Sequence, residues 1–197
     1  MPNPHAKHSI CLTFDDGPDP EYTPQLLDIL DRYNAKATFF VLGEAAEAYP
    51  HLVQRIIAAG HSLGNHSHRH NHPWAMSYDR AQREVSVASR ILKEITGVTP
   101  HWFRPPFGRL RTAMQRQAQS EKMTTVLWSR SVIDWGVLGT KAGIARRLAR
   151  VNPGEIVLLH DAKRTSNNPG YTCECLPEFL RSLAQRGLSA RNLDEVF

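Results

Sequence analysis

Two adjacent carboxylates, Asp15 and Asp16, close an apolar run (Ile10, Cys11, Leu12) that ends Thr13-Phe14-Asp15-Asp16-Gly17-Pro18. Neighbouring acids in one cleft repel, and one of their pKa values rises unless a cation sits beside them. A metal ion on one carboxylate, with the other left free as a base, resolves that conflict. Asp, Gly and Pro also favour turns, so the tetrapeptide alone would equally suit a surface turn. Further on, Asn65-His66-Ser67-His68-Arg69-His70-Asn71-His72-Pro73 holds two histidine pairs at i, i+4, His66 with His70 and His68 with His72. On a helical turn either pair puts two imidazoles on one side, within reach of one ion. Adding Asp16 makes a two-histidine, one-carboxylate set with an open position, which suits a divalent ion that activates water.

Three more residues have matching chemistry. Arg104, before Pro105-Pro106, could be a surface cation, and is also the natural partner to keep a catalytic carboxylate ionised and oriented. His160, after an apolar run, could be a core histidine; opposite an Asp it becomes a candidate acid, because a carboxylate raises its pKa and fixes its tautomer. Asp134 is the nearest candidate by topology.

Alternating strands and helices must position these groups. The apolar run before Asp15 reads as a strand, and Tyr22 to Tyr33 carries a helical stripe of Leu26, Leu27, Ile29 and Leu30. Ala37 to Leu42 reads as a strand buried on both faces and ended by Gly43, Pro50 to Ala59 as a helix stopped by Gly60, and His61 to Asn65 as a short strand. A long amphipathic helix runs from Ser77, its N-cap, to about Ile95, with Gly97 as its stop. Trp102 to Arg104 follows as a strand, Thr112 to Glu121 as a helix, and Thr124 to Trp128 as a strand whose loop contains Asp134-Trp135-Gly136. Lys141 to Arg150 is helical, Glu155 to Leu159 is a buried strand, Lys163 to Tyr171 a polar loop, Leu176 to Gln185 the last helix, and a final strand lies near Leu188. Such alternation predicts an α/β fold with a parallel sheet. Every chemistry-bearing segment follows a strand and precedes a helix, the position where a barrel of βα units gathers its active-site loops.

At 197 residues the chain suits one domain, 1–197, and 41% hydrophobic with 22% charged residues suits a globular one. Net charge is 24 − 19 = +5, but the arginines are scattered without interleaved aromatics, so nucleic acid is not an expected partner. No apolar run approaches membrane-spanning length, and Met1 to His8 lacks the apolar core of a signal peptide. The chain as given therefore reads as cytoplasmic unless an export signal has been removed, with no membrane or obligate protein partner evident. Cys11, Cys173 and Cys175 cannot all pair and read as reduced thiols. His5, His8, His51, His61 and His101 read as surface or structural.

Taken together the motifs resemble those of the polysaccharide deacetylases, or NodB-homology domains, from about Ser9 to Phe197. Thr13 to Pro18 resembles the family's first motif, Asn65-His66-Ser67 through His70 its second, Arg104-Pro105-Pro106-Phe107-Gly108 its third, Asp134-Trp135 its fourth and Leu158-Leu159-His160 its fifth. The resemblance implies a distorted (β/α) barrel and a metal-dependent hydrolase of N-acetylated amino sugars, of chitooligosaccharide or peptidoglycan type. It implies Asp15 as general base, Asp16, His66 and His70 as ligands of a divalent ion (Zn2+ first, with Co2+, Ni2+ or Mn2+ as alternatives), and Arg104 as the brace of Asp15. It further implies His160 as general acid tuned by Asp134, the Phe107 N–H as oxyanion donor, and Trp135 and Leu158 as walls for the acetyl methyl.

Three departures stand out. Pro73 follows His72 where the family has Pro straight after its second histidine, which keeps the His68/His72 register in view. Phe107 replaces a frequent Tyr. The absent export signal suits soluble oligosaccharides better than cell wall. Two other readings use the same residues: hydrolysis of another C–N bond, in a formamide or cyclic ureide, and an inactive glycan-binding module.

Overall fold

Residues 8–164 and 166–197 are described by a computed structural model; His5 lies outside them. The sheet is built on β1 (Ser9–Asp15), all seven residues of which are buried. Its backbone is satisfied along both edges. β7 (Ile156–His160) pairs with it from Cys11 to Asp15 on one edge. The other is shared by β8 (Ser189–Arg191), from Ser9 to Cys11, and β2 (Thr38–Val41), from Thr13 to Asp15. With β3 (Ser62–Asn65), β4 (Trp102–Phe103), β5 (Thr124–Thr125) and β6 (Arg130–Ser131), the order is β5-β4-β3-β2-β1-β7-β6, and every pairing is parallel. Among the described residues β5 and β6 form opposite edges, so the sheet curls into an open, distorted (β/α) barrel.

Alternation along β1 sorts its side chains. Ile10, Leu12 and Phe14 enter the main core with Leu26, Leu30, Val53, Ile56 and Leu92 from the surrounding helices. Cys11 faces the concave side, packed with Phe40, Leu193 and Val196. Thr13 and Asp15 share that concave face, which puts polar atoms inside the curl. Registers align the strand ends: Asp15 is level with both Phe40 and His160, and Asn65 with Val41 and Phe103. The loops leaving these strands therefore start side by side.

Helices α1 (Tyr22–Arg32), α3 (Pro50–Ala58), α5 (Thr112–Ser120) and α6 (Lys141–Leu148) fall where the sequence placed them, within a few residues. So does α4 (Tyr78–Thr96): Ser77 Oγ accepts from the Arg80 N–H at 3.3 Å, and Gly97 ends the helix at φ 77°. No described helix is long and apolar enough to cross a membrane.

Four elements differ from expectation. Gly43 does not merely end β2 but opens α2 (Gly43–Ala48), where a Cβ would stand 2.7 Å from His68 Nδ1 and 3.1 Å from Ala88 Cα. The strand expected over Thr124 to Trp128 pairs only at Thr124–Thr125. The chain then crosses to the opposite edge as β6, so Asp134 follows β6. Helix α7 (Pro169–Gln185) starts well before Leu176, with Pro169 in its first turn and Pro177 inside it. Finally α8 (Leu193–Val196), capped by Asn192, closes the base of the curl.

Candidate active site

Asp15 ends β1, and the next residue does not continue the strand: Asp16 has φ 82°, a left-handed conformation rare for a residue with a Cβ. Strand alternation would point neighbouring side chains to opposite faces, and the bend at Asp16 instead brings both carboxylates to the His66 ring, 3.6 and 3.7 Å from its Nε2. Asp161, buried one residue past His160, secures the bend. Its Oδ1 accepts from the Gly17 N–H at 3.0 Å and its Oδ2 from Thr23 Oγ at 2.6 Å. A Cβ at Gly17 would lie 2.0 Å from Asp161 Oδ2, so only glycine fits.

The histidine segment is not helical. Ser67 (φ 74°) and His70 (φ 57°) both turn left-handed, and the expectation that i, i+4 spacing acts through a helical turn is corrected. Side chains impose the shape: Asn65 Oδ1 accepts from the Ser67 N–H at 2.8 Å, and Ser67 Oγ accepts from the His70 N–H at 3.2 Å. Asn65 Nδ2 also donates to Val85 O and to Ser89 Oγ, each at 2.9 Å, tying the loop to α4. His66 and His70 consequently converge on Asp16, their Nε2 atoms 3.7 and 3.3 Å from Asp16 Oδ1. His68 is turned toward Gly43 of α2, and the His72 ring lies 5.3 Å from that of Phe107, so the alternative pair does not converge.

Asp16, His66 and His70 form the one group of three or more His, Cys, Asp or Glu among the described residues whose ligand atoms lie within 4.8 Å of one another. His66 Nδ1 is 2.7 Å from Arg104 O, an atom that can only accept, so the ring proton sits on Nδ1 and the Nε2 lone pair faces Asp16. Burial pushes both imidazole pKa values down, that of His66 to about 3, so both rings are neutral. Asp16 Oδ1 is buried without a hydrogen-bond partner. A buried carboxylate oxygen without a hydrogen-bond partner, facing the His66 lone pair, is unfavourable unless a cation lies between them. The residues therefore fit a divalent ion held by two nitrogens and one oxygen.

Beside this cluster, Asp15 is held from beneath by Arg104, which is fully buried. Arg104 Nη1 donates to Asp15 Oδ1 at 2.8 Å and to Thr13 Oγ at 2.7 Å, while Nη2 donates to Leu127 O at 3.1 Å. Its guanidinium stacks 4.0 Å above the Phe40 ring. Burial raises the Asp15 pKa, and the charge and hydrogen bond of Arg104 oppose that rise.

Across the cleft His160 Nδ1 lies 2.8 Å from Asp134 Oδ1. The His160 N–H and Thr172 Oγ donate to Asp134 Oδ2, at 2.8 and 3.1 Å, which fixes the carboxylate. Burial alone would lower the His160 pKa, but the charge and hydrogen bond of Asp134, together with the carboxylates of Asp16 and Asp15, outweigh it and raise the value to about 9. Asp15, Asp16, His66, His70 and His160 line a cleft of about 420 Å³, walled by Phe107, Gly108, Trp128, Trp135 and Leu158. Trp135 meets the His160 ring edge-on at 5.3 Å, and Phe107 sits at φ 59° on the rim.

Every residue that the family resemblance assigned to the site thus reaches this cleft or braces it, whereas His68 and His72 lie outside its lining. Thr13, Trp128, Asp161 and Asn167 were missed. Thr13 was discoverable as the residue two before Asp15 on the same strand face, and Asp161 as the neighbour of His160. Trp128 and Asn167 carry no local signal.

The family model described as "Polysaccharide deacetylase" matches residues 3–126. Two peptidoglycan-N-acetylglucosamine deacetylases of Bacillus cereus are 36% identical over 80% of this chain and 34% identical over 98% of it. The chain spans 57% of the length of the first and 90% of the second. The solved peptidoglycan deacetylase PdaC of Bacillus subtilis superimposes with a TM-score of 0.86 at 31% identity, covering 96% of this chain and 90% of that one.

Proposed function

The chain belongs to the polysaccharide deacetylase family, and on that premise we propose that it is a metal-dependent hydrolase that removes N-acetyl groups from N-acetylglucosamine-containing glycans, of peptidoglycan or chitooligosaccharide type, with release of acetate. The observation that carries this reading is the pairing of a partnerless buried Asp16 Oδ1, facing two neutral imidazoles, with a second carboxylate, Asp15, braced by its own arginine.

Asp16 Oδ1, His66 Nε2 and His70 Nε2 would hold the ion, with zinc first by donor type and Co2+, Ni2+ or Mn2+ as alternatives. Such an ion, when bound, supplies Lewis acidity that lowers the pKa of water and polarises a carbonyl. Asp15 removes the proton from the attacking water, and Arg104 keeps its carboxylate aimed into the cleft. The Phe107 N–H donates to the charge that develops on the acetamide oxygen, a contribution commonly worth about 3 kcal/mol. His160, protonated at neutral pH, delivers its Nε2 proton to the departing nitrogen, while Asp134 holds the ring from the other side. Trp135 and Leu158, which line the cleft, wall the position of the acetyl methyl.

Acetate release from N-acetylglucosamine oligomers and peptidoglycan fragments, before chelation, after it and after zinc is restored, tests this reading. Release that stops and returns supports it. Turnover of a formamide or cyclic ureide, with none of any acetylated glycan, would move the assignment to that C–N bond. Glycan affinity that survives chelation without acetate release would make the chain a binding module.

A further inference from the structure

The two oxygens of Asp16 are treated differently by the protein. Oδ1 faces the imidazoles with no donor, whereas Oδ2 accepts from Asn167 Nδ2 at 2.7 Å. Asn167 is itself buried, and Nδ2 is also 3.4 Å from Ala162 O. Its backbone is pinned to the segment that carries Asp134. Trp135 and Asn167 form an antiparallel bridge, the Gly136 N–H donates to Ser166 O at 2.8 Å, and the Asn168 N–H donates to Asp134 O at 2.8 Å. The same short stretch therefore touches the metal-binding carboxylate with a side chain and the His160 partner with its backbone.

We propose that Asn167 is a positioning residue for the metal carboxylate: by donating to Asp16 Oδ2 it turns Oδ1 toward His66 and His70 and restricts Asp16 to one-oxygen ligation. This rests on the metal-dependent reading above. An Asp carboxylate rotates over a broad range about its last side-chain bond, and a fixed donor on one oxygen removes that freedom before the ion arrives. An amide suits the task because it donates without adding charge. Through the backbone of residues 166–168, the placement of Asp16 is also tied to the segment that orients His160.

The test is zinc affinity of the metal-free protein, measured by competition with a chromophoric chelator, for the parent, Asn167→Ala, Asn167→Leu and Asn168→Ala. Asn167→Leu nearly conserves volume, so it stands in should the alanine variant fail to fold. Asn168 shares the loop but donates to Gly139 O at 3.2 Å, away from Asp16. Loss of an outer partner of a metal ligand typically weakens binding by about 10–100-fold, and that loss is expected for both Asn167 variants. Asn168→Ala should stay near the parent, and the melting temperatures of the metal-free folded proteins should not track the loss. Parent-like affinity in the Asn167 variants would overturn the proposal, as would an equal loss in Asn168→Ala, which would make the effect one of loop anchoring. A parent that binds no zinc would sink the metal-dependent reading as well, a result distinct from either.

Discussion

Arg104 Nη1 and Asp15 Oδ1 meet at 2.8 Å, with the guanidinium wholly buried and the carboxylate almost so. Ion pairs so placed are costly to break from one side, because the remaining charge has no solvent to turn to. Arg104→Met should therefore cost about 3–5 kcal/mol of folding stability. Arg104→Lys should not restore it, since one ammonium cannot serve Asp15, Thr13 and the carbonyls of Val126 and Leu127 together. Urea denaturation midpoints of the three proteins check this.

The two neighbouring aspartates should separate under mutation. Asp15→Asn removes a base and leaves the ligand set, so zinc affinity should hold while kcat falls by about two or more decades. Asp16→Asn should abolish tight zinc binding and activity together. Equal zinc affinities in the two variants would contradict the division of labour.

His160 should set the alkaline limb of activity. With its pKa raised to about 9, chiefly by Asp134, the ring keeps its proton below that pH and loses it above, so an acid role fails as pH rises through the limb. Asp134→Asn removes the largest raising charge and leaves burial opposed only by the weaker pull of Asp16 and Asp15, which lowers the pKa. At saturating metal the alkaline limb of kcat/KM should move to lower pH by about one unit or more. An unmoved limb would take His160 out of the acid role.

Acid stability should depend on His61, which is remote from the chemistry. Its Nδ1 accepts from the Ala37 N–H at 3.2 Å, and burial, then the Lys36 ammonium, push its pKa down to about 4. The unfolded chain takes up this proton near pH 6.5 and the folded one only near 4, so stability is lost as pH falls through that window. The slope is at most about 1.4 kcal/mol per pH unit for one proton. His61→Asn keeps an acceptor but cannot titrate, so its stability should fall less steeply between pH 6.5 and 4, as measured by urea denaturation across that range.

Residue chemistry and periodicity are local properties, and what depends on them was readable before any fold was known. The stripe of α1, the caps of α4, the buried runs of β1, β2 and β7, and the donor types at Asp15, Asp16, His66, His70, Arg104, Asp134 and His160 all belong to that class. α7 was misplaced because Pro177, ordinarily a first-turn residue, lies within it. β6 escaped because two paired residues are too few to show a period.

What the chain alone decided is which side chains are available and that strands hand them to loops on one edge. Which histidines meet Asp16, and which oxygen of Asp16 stays bare, was decided by the tertiary structure. Those outcomes depend on the sign of φ at Asp16, Ser67 and His70 and on the packing of Asn167 against a distant carboxylate. A backbone bend and a contact across 151 positions have no counterpart in local spacing, because they exist only once parallel strands have aligned Asp15 with His160 and Asn65 with Phe103.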